Sequence, residues 1–433
     1  MSFNPAIAKA VEQLDYRVTV GDVAAQAGLE VNFAQQGLLA LASDAGGQLQ
    51  VSESGEIAYL FPQNFRAIAR NKYWKLRWQE GWEKVAGILF YLLRISFGIV
   101  LILSILLMVA AIAVLFVYIN SNKDDNNESR GGGGGVVFFP RIWGPDLFWW
   151  IDPGSWRSRR SRARSHPAQP SEMSFLEAVF SFLFGDGDPN ADLEERRWQT
   201  IGAVIRNAQG AVVAEQISPY LDSIETRHWE DENYMIPVLA RFNGYPQVSK
   251  AGAIVYAFPE LQVTAGNSER QAIPDFLEEQ RWRFSAASSG QIFLAAGLGS
   301  LNLILAFVLY SLLQDPSAAG IGGYVGFVAS IYWFLLGYGV AFLGLPLIRH
   351  FWNQWRNPKI EARNQERRDR AQHLNSASAT LQRKLADAQQ FASREVVREG
   401  DLAYTTETDL LAQNLDNADK IDAAWEKRLE SED

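Results

Sequence analysis

The chain has 433 residues, 48% of them hydrophobic and 21% charged, with a net charge of −9. That length holds two or three compact units, and the acidic balance offers no general attraction for nucleic acid. No cysteine is present, which excludes disulfides, thiolate metal sites, cysteine nucleophiles and cysteine-ligated iron–sulfur clusters. The four histidines (His166, His228, His350, His373) have no ligand spacing.

Residues 1–65 read as a first winged-helix-like module. Apolar residues at helical spacing over 6–14 predict one helix. Thr19 precedes a short second helix through Ala27, closed by Gly28, and Asn32 is placed to cap a third through about Ala42. Gly46-Gly47 then turns the chain into two alternating stretches, 48–51 and 57–61, on either side of a Ser-Glu-Ser-Gly turn. No secretory signal precedes this module, so it is expected to fold on the side where it is made.

Residues 66–119 join a basic and aromatic flank to the first membrane segment. Trp74, Trp78 and Trp82 stand four apart, a stripe suited to a membrane interface. Residues 85–119 are apolar apart from Arg94, and 96–119 alone would span roughly 35 Å as a helix. Lys72, Lys75, Arg77, Lys84 and Arg94 place this flank on the cytoplasmic side, where Arg94 is expected to snorkel. Residues 120–173 form a glycine-rich and then basic linker, with 157–171 read as a solvated positive-inside anchor in preference to an RNA-binding arm.

Residues 174–265 repeat the first module. Val51 to Pro62 aligns without gaps to Val248 to Pro259, with valine, serine, glycine, isoleucine, tyrosine, phenylalanine and proline all matching. Upstream lie three candidate helices, 192–207 with an Asp192/Glu195 capping box, 214–221, and 231–242 closed by Asn243-Gly244. Alternate isoleucine, tyrosine and phenylalanine send side chains to one face, which three short helices can cover. Tyr59 and Tyr256 are therefore read as core, not as catalytic groups.

Residues 266–291 are expected to form a connecting helix, and 292–348 a transmembrane helical hairpin turning at 314–320. The last segment, 349–433, reads as a charged, helical cytoplasmic tail with an apolar edge of Leu374, Leu381 and Leu385. Partner helix, coiled-coil stub and domain-packing helix all remain open for it. Both modules and the tail on one side would require an even number of crossings before residue 190. Residues 136–151 make a poor span, so either 85–119 forms a hairpin or the second module lies across the membrane; the same side is favoured.

Several motifs are weighed and set aside. Residues 186–192 begin like a calcium loop, but Ala191 stands where glycine belongs and Arg197 where the closing glutamate belongs, so a helix-capping turn fits better. The first module's third helix, Phe33 to Leu41, carries no charge, and the second module's opens on Asp231-Glu232, which argues against phosphate binding. The last two spans hold almost no ionisable residues, which argues against transport. No nucleotide-loop, hydrolase or zincin motif occurs in a fitting context.

The Tyr-x-Phe-Pro modules at Tyr59–Pro62 and Tyr256–Pro259, the stretch Ser174 to Asn190 and the segment Tyr404 to Leu410 resemble an uncharacterised family of cyanobacterial and chloroplast membrane proteins. Some plant members are labelled iron–sulfur cluster biosynthesis proteins. The resemblance implies a thylakoid or plasma membrane and transfers no catalytic residue; without cysteine, any iron–sulfur role would be indirect.

The fold class expected is thus an α-helical membrane protein with two small α+β winged-helix-like modules and a charged helical C-terminal tail. The function expected is a membrane-anchored protein-interaction scaffold or assembly factor in a photosynthetic membrane, not an enzyme. No catalytic, cofactor-binding or metal-ligating residue and no cofactor is assigned. The partners expected are the lipid bilayer and other membrane-associated proteins, with homo-oligomerisation open and nucleic acid disfavoured. A membrane-tethered nucleic-acid-binding regulator and a transporter or channel component are the alternatives.

Overall fold

The computed structural model describes residues 4–72, 74–124, 173–222, 232–266, 270–316, 321–376, 378–409 and 413. It is mostly helical, with three long apolar helices and small sheets. The chain divides into two units, one made of Met1–Trp82, Asn190–Gln280 and Lys359–Asp433, the other of Glu83–Pro189 and Arg281–Pro358. The expected linker features at 125–172, including the basic run and residues 136–151, lie outside the described residues.

The first segment runs α1 (Pro5–Gln13), β1 (Arg17–Thr19), α2 (Val20–Ala27), α3 (Val31–Ala45), β2 (Gln48–Ser52), β3 (Ile57–Leu60) and α4 (Phe65–Lys72). Thr19 and Asp22 form a reciprocal capping box at the start of α2, and Gly28 ends it in the left-handed conformation at φ 64°. At α3 the cap differs from expectation: the chain turns at Glu30, and Asn32 lies inside the helix with its amide donating to Glu30 Oε1 at 3.4 Å. There follows α5 (Trp74–Asp124), a single 51-residue helix. A hairpin within residues 85–119 is therefore excluded.

The middle of the chain forms α6 (Phe175–Phe184), α7 (Leu193–Asn207), β4 (Ala211–Val212), α8 (Ala214–Ile217), α9 (Ile236–Phe242), β5 (Tyr245–Val248), β6 (Ile254–Ala257), α10 (Pro259–Gln262) and β7 (Val263–Thr264). From α7 to β6 this repeats the order of the first segment. The strand order matches as well, β1-β3-β2 against β4-β6-β5, and Gln48↔Leu60 corresponds to Tyr245↔Ala257 in register. The expected Asp192 capping box is not made. Its carboxylate pairs with Arg196 at 3.1 Å, one turn along the helix.

Residues 270–288, expected as a helix, have no regular secondary structure. Their backbone N–H groups are taken by other segments: Gln271 by Asn207, Leu277 by the Pro219 carbonyl, Glu279 by Asn364 and Gln280 by Asn190. Each bond made there is one that an internal helix ladder cannot use. Beyond lie α11 (Ser289–Leu313), α12 (Gly323–Ser330), α13 (Tyr332–Asn375), α14 (Ala379–Gln389), β8 (Glu395–Val396) and β9 (Leu402–Thr405). The tail is thus not wholly helical. β9 pairs antiparallel with β2, and β8 pairs parallel with β7.

In the first unit, both repeats feed one hydrophobic core. Leu38, Tyr59, Phe61 and Phe65 share it with Trp198, Ile201, Phe242 and Phe258. α2 packs on α7 so closely that a Cβ at Gly202 would lie 2.8 Å from the Ala25 Cα. The tail covers the outer faces of the sheets: Leu381 and Ala388 of α14 pack on Ala211, Val213 and Val255, while Val397 packs on Ala58 and Val263. It is a domain-packing segment.

In the second unit, α5 and α11 run in the same direction and α13 runs against them. Tyr338 donates to the Phe97 carbonyl at 2.8 Å, Ser104 bonds Asn302, and Tyr310 stacks on Tyr332 at 5.7 Å. Leu115, Leu309 and Tyr332 pack towards one end of this bundle, whereas Gln291 holds the Met173 carbonyl at the other (2.6 Å). The outward side chains are largely apolar and exposed, Phe293 by 81% and Trp333 by 73%. Such a surface suits a lipid solvent.

Candidate interaction surface

In both repeats the third helix buries one face and leaves the other open. On α3, Ala34, Leu38, Leu41 and Ala45 face the core, and Asn32, Phe33, Gln35, Gln36, Leu39 and Ser43 face outwards. Phe33 and Leu39 are nearly half exposed, and no outward residue on this helix is charged until Asp44. On α9, Val238 and Phe242 face inwards, while Ile236 is 60% exposed. The one cation of α9, Arg241, is used within the fold: it lies 4.3 Å from the Trp198 ring and donates to the Gly28 carbonyl at 3.0 Å. Burial lowers its pKa, although Glu194 and Glu30 oppose the shift. Neither helix offers free guanidinium or ammonium groups of the kind that hold phosphate backbones.

Ionic clusters fix the frame behind these helices. Asp22 is buried, accepts from the Thr19 and Ala265 amides at 3.0 Å each, and pairs with Arg206 at 2.7 Å. Arg367 is completely buried and reaches Glu279 at 2.8 Å and Asp222 at 2.9 Å, with Arg363 on Glu279 at 2.5 Å. Burial alone would raise the Glu279 carboxyl, but the two guanidiniums outweigh it and hold the group below its ordinary value. Lys384 bridges Glu215 at 3.0 Å and Glu232 at 3.2 Å. Burial would lower that ammonium, yet the carboxylates raise it. Tyr256 donates to Glu232 at 2.8 Å, and burial together with that bond pushes its hydroxyl well above the phenol range. Tyr59 and Tyr256 both lie in the shared core.

The remaining residues weighed from sequence take structural roles. Arg94 faces Asp186 at 3.4 Å and the Phe180 ring at 5.9 Å, so it has a partner. The loop that begins like a calcium site has spent its oxygens: Asp186 accepts from Ser181 at 2.8 Å and the Ala286 amide at 2.7 Å, and Asn190 accepts from the Gln280 amide at 2.7 Å. Among the described residues, no three histidine, aspartate or glutamate side chains gather in a metal-binding group.

Comparison with known proteins gives one clear relative. The chain is 38% identical over 433 residues to the Arabidopsis thaliana protein described as "Uncharacterized protein At5g03900, chloroplastic", covering 97% of this chain and 81% of the relative. The chain belongs to that protein's family. No family model matches it, and no solved structure matches it either. The match runs through both repeats, the long apolar helices and most of the tail, so these parts form one inherited whole.

Proposed function

We propose that this protein is a membrane-anchored protein-interaction scaffold or assembly factor of a photosynthetic membrane. Its two repeats act as winged-helix-like modules, joined through one core and strapped by the tail, and its apolar helices hold them at a bilayer. The observation that carries this reading is the pair of uncharged third-helix faces with exposed Phe33, Leu39 and Ile236. Winged helices that grip nucleic acid need basic residues there; an apolar face rimmed by amides suits another protein. The chloroplast location in the relative's name supports the choice of membrane. The shared packing of both modules and the tail supports placing them on one face of that membrane, and with α5 a single helix the even number of crossings this requires does not come from a hairpin within residues 85–119.

The reading is tested by purifying the tagged full chain from native membranes in mild detergent and identifying what is bound. Wild type should recover a membrane complex or its assembly intermediates in stoichiometric amount. Phe33→Asp with Leu39→Asp should lose about nine-tenths of that partner, since a charge buried at an apolar interface costs several kcal/mol. Recovery of the chain alone, or as a homo-oligomer only, would overturn the proposal.

A further inference from the structure

The second unit contains a charged site that its own residues leave incompletely balanced. α6 is only ten residues long and lies across one end of the helix bundle, not along it. Leu176 near its start touches Gly98 of α5, and Met173 just before it accepts from Gln291 at the head of α11. Asp186, just past its end, accepts from the Ala286 amide, also ahead of α11. Both ends of α6 therefore lie at one level, where Arg94 of α5 and Arg349 of α13 also stand.

At that level two guanidiniums face one carboxylate. Arg349 donates to the Phe182 carbonyl at 2.9 Å and to the Phe284 carbonyl, and lies 5.2 Å from the Phe284 ring. Its neighbours are thus dipoles and an aromatic face, with Asp186 as the nearby opposite charge. The same Asp186 is the ion-pair partner of Arg94, at 3.4 Å, and its other oxygen is occupied by Ser181 and Ala286. Glu177 is engaged at the opposite end of α6, where it caps Ser174. Arg94 Nε is buried and has no hydrogen-bond partner among the described residues. One positive charge and at least one donor are left over.

The surroundings identify what would fill that gap. Phe90, Leu92 and Leu93, beside Arg94 on α5, are at least half exposed, as are Phe351, Trp352 and Trp355 just after Arg349. Aromatic rings next to cations at the end of an apolar span mark the headgroup layer. A ligand there must bring a negative charge to the guanidinium and apolar chains to the exposed Ile99 and Leu103 further along α5. We infer that Arg94, backed by Arg349, binds the headgroup of an anionic phospholipid at this end of the bundle. The phosphodiester accepts from the exposed part of the Arg94 guanidinium, and the acyl chains lie along α5. The inference rests on the helices crossing a bilayer and is independent of whether the modules dock a protein.

The test uses the purified full chain, equilibrated with mixed micelles holding equal phosphatidylcholine and phosphatidylglycerol, with retained lipids counted by native mass spectrometry. Phosphatidylglycerol should be retained preferentially, and Arg94→Gln should reduce its retention about tenfold, the scale of one charge-assisted hydrogen bond. Asp186→Asn should act oppositely and raise retention, because it removes the competing carboxylate while keeping an oxygen acceptor. A purely structural role for Asp186 would not produce that gain. Lys250→Gln, a charge change on the exposed turn after β5, should leave retention unchanged. Equal retention of both lipids, or indifference to both the Arg94 and Asp186 changes, would overturn the inference. Competition by free glycerol phosphate as effective as by lipid would assign the site to a soluble anion and overturn the lipid assignment. None of these readings needs a protein partner, so they stand or fall separately from co-purification.

Discussion

Arg367 shows how single residues hold the tail in place. It is the largest fully buried side chain among the described residues, and its guanidinium serves Glu279, Asp222 and the Leu221 and Leu277 carbonyls together. Truncating it strands the buried Glu279 with Arg363 alone. Arg367→Ala should cost about 3 kcal/mol, the usual price of breaking a buried ion pair, read as a lower urea midpoint for the detergent-solubilised chain. The pH dependence follows from the same pair. Glu279 has a folded-state pKa below its ordinary value of 4.5, so its contribution is complete above that value and is lost as pH falls through the folded pKa. Wild type should therefore lose stability on acidification below about pH 4.5, and Glu279→Gln should flatten that part of the profile. A profile unchanged by Glu279→Gln would show that the cluster does not contribute.

At the scale of elements, the two repeats differ at one sheet edge, and a single position accounts for it. In the first repeat the outer edge of β2 carries β9: the Leu49 amide donates to Thr406 Oγ1 at 2.9 Å, and Thr406 N–H returns a bond to the Leu49 carbonyl at 3.0 Å. The residue at the same register in the second repeat is Pro246, opposite Tyr256 as Leu49 is opposite Tyr59. Proline has no N–H to offer, so that edge cannot take a strand in the same way. Leu49→Pro should detach β9 while the β2–β3 ladder persists through Gln48 and Gln50. Amide exchange at Tyr404 and Thr406 should quicken about tenfold, the worth of roughly one lost hydrogen bond. No change there would mean that other contacts hold the tail. This contrast also marks what was legible in sequence. The Thr19 cap, the Gly28 stop and both hairpins depend on neighbours within a few residues, and local chemistry reveals them. β9 does not stand out, because Leu402 to Thr405 becomes a strand only by meeting an edge some 350 residues away. The cap at Asp192 and the helix over 266–291 fail for a related reason: Arg196 and the Asn190, Asn207 and Asn364 side chains compete for the groups a local reading would pair.

For the whole molecule, the division of labour between units matters more than any one site. The first unit unites segments that lie far apart in sequence into one core, so the modules and tail move together. The open third-helix faces were partly legible beforehand, since the absence of charge on residues 33–41 is visible in the sequence. Their exposed side was not, because it depends on which face of the first repeat's third helix α1, α2 and α4 cover. In the second unit α5 and α11 run parallel, so Asp124 and Met173 emerge at opposite ends of the bundle. α5 is one continuous helix, which removes the hairpin that the sequence left open for residues 85–119.

The account depends most on the apolar helices crossing a bilayer with both modules and the tail on one face. The chain contains no cysteine, so single cysteines can be placed without altering any other residue. We would introduce them at Ser54, Ala251 and Gln390 of the first unit, and at Ser285 and Gln314 of the second, and label sealed native membranes with an impermeant maleimide from each side. The account predicts that the first three label from the same face and that Ser285 and Gln314 label from opposite faces. Labelling of Ser54 and Ala251 from different faces, or release of the chain from membranes by alkaline carbonate, would contradict it.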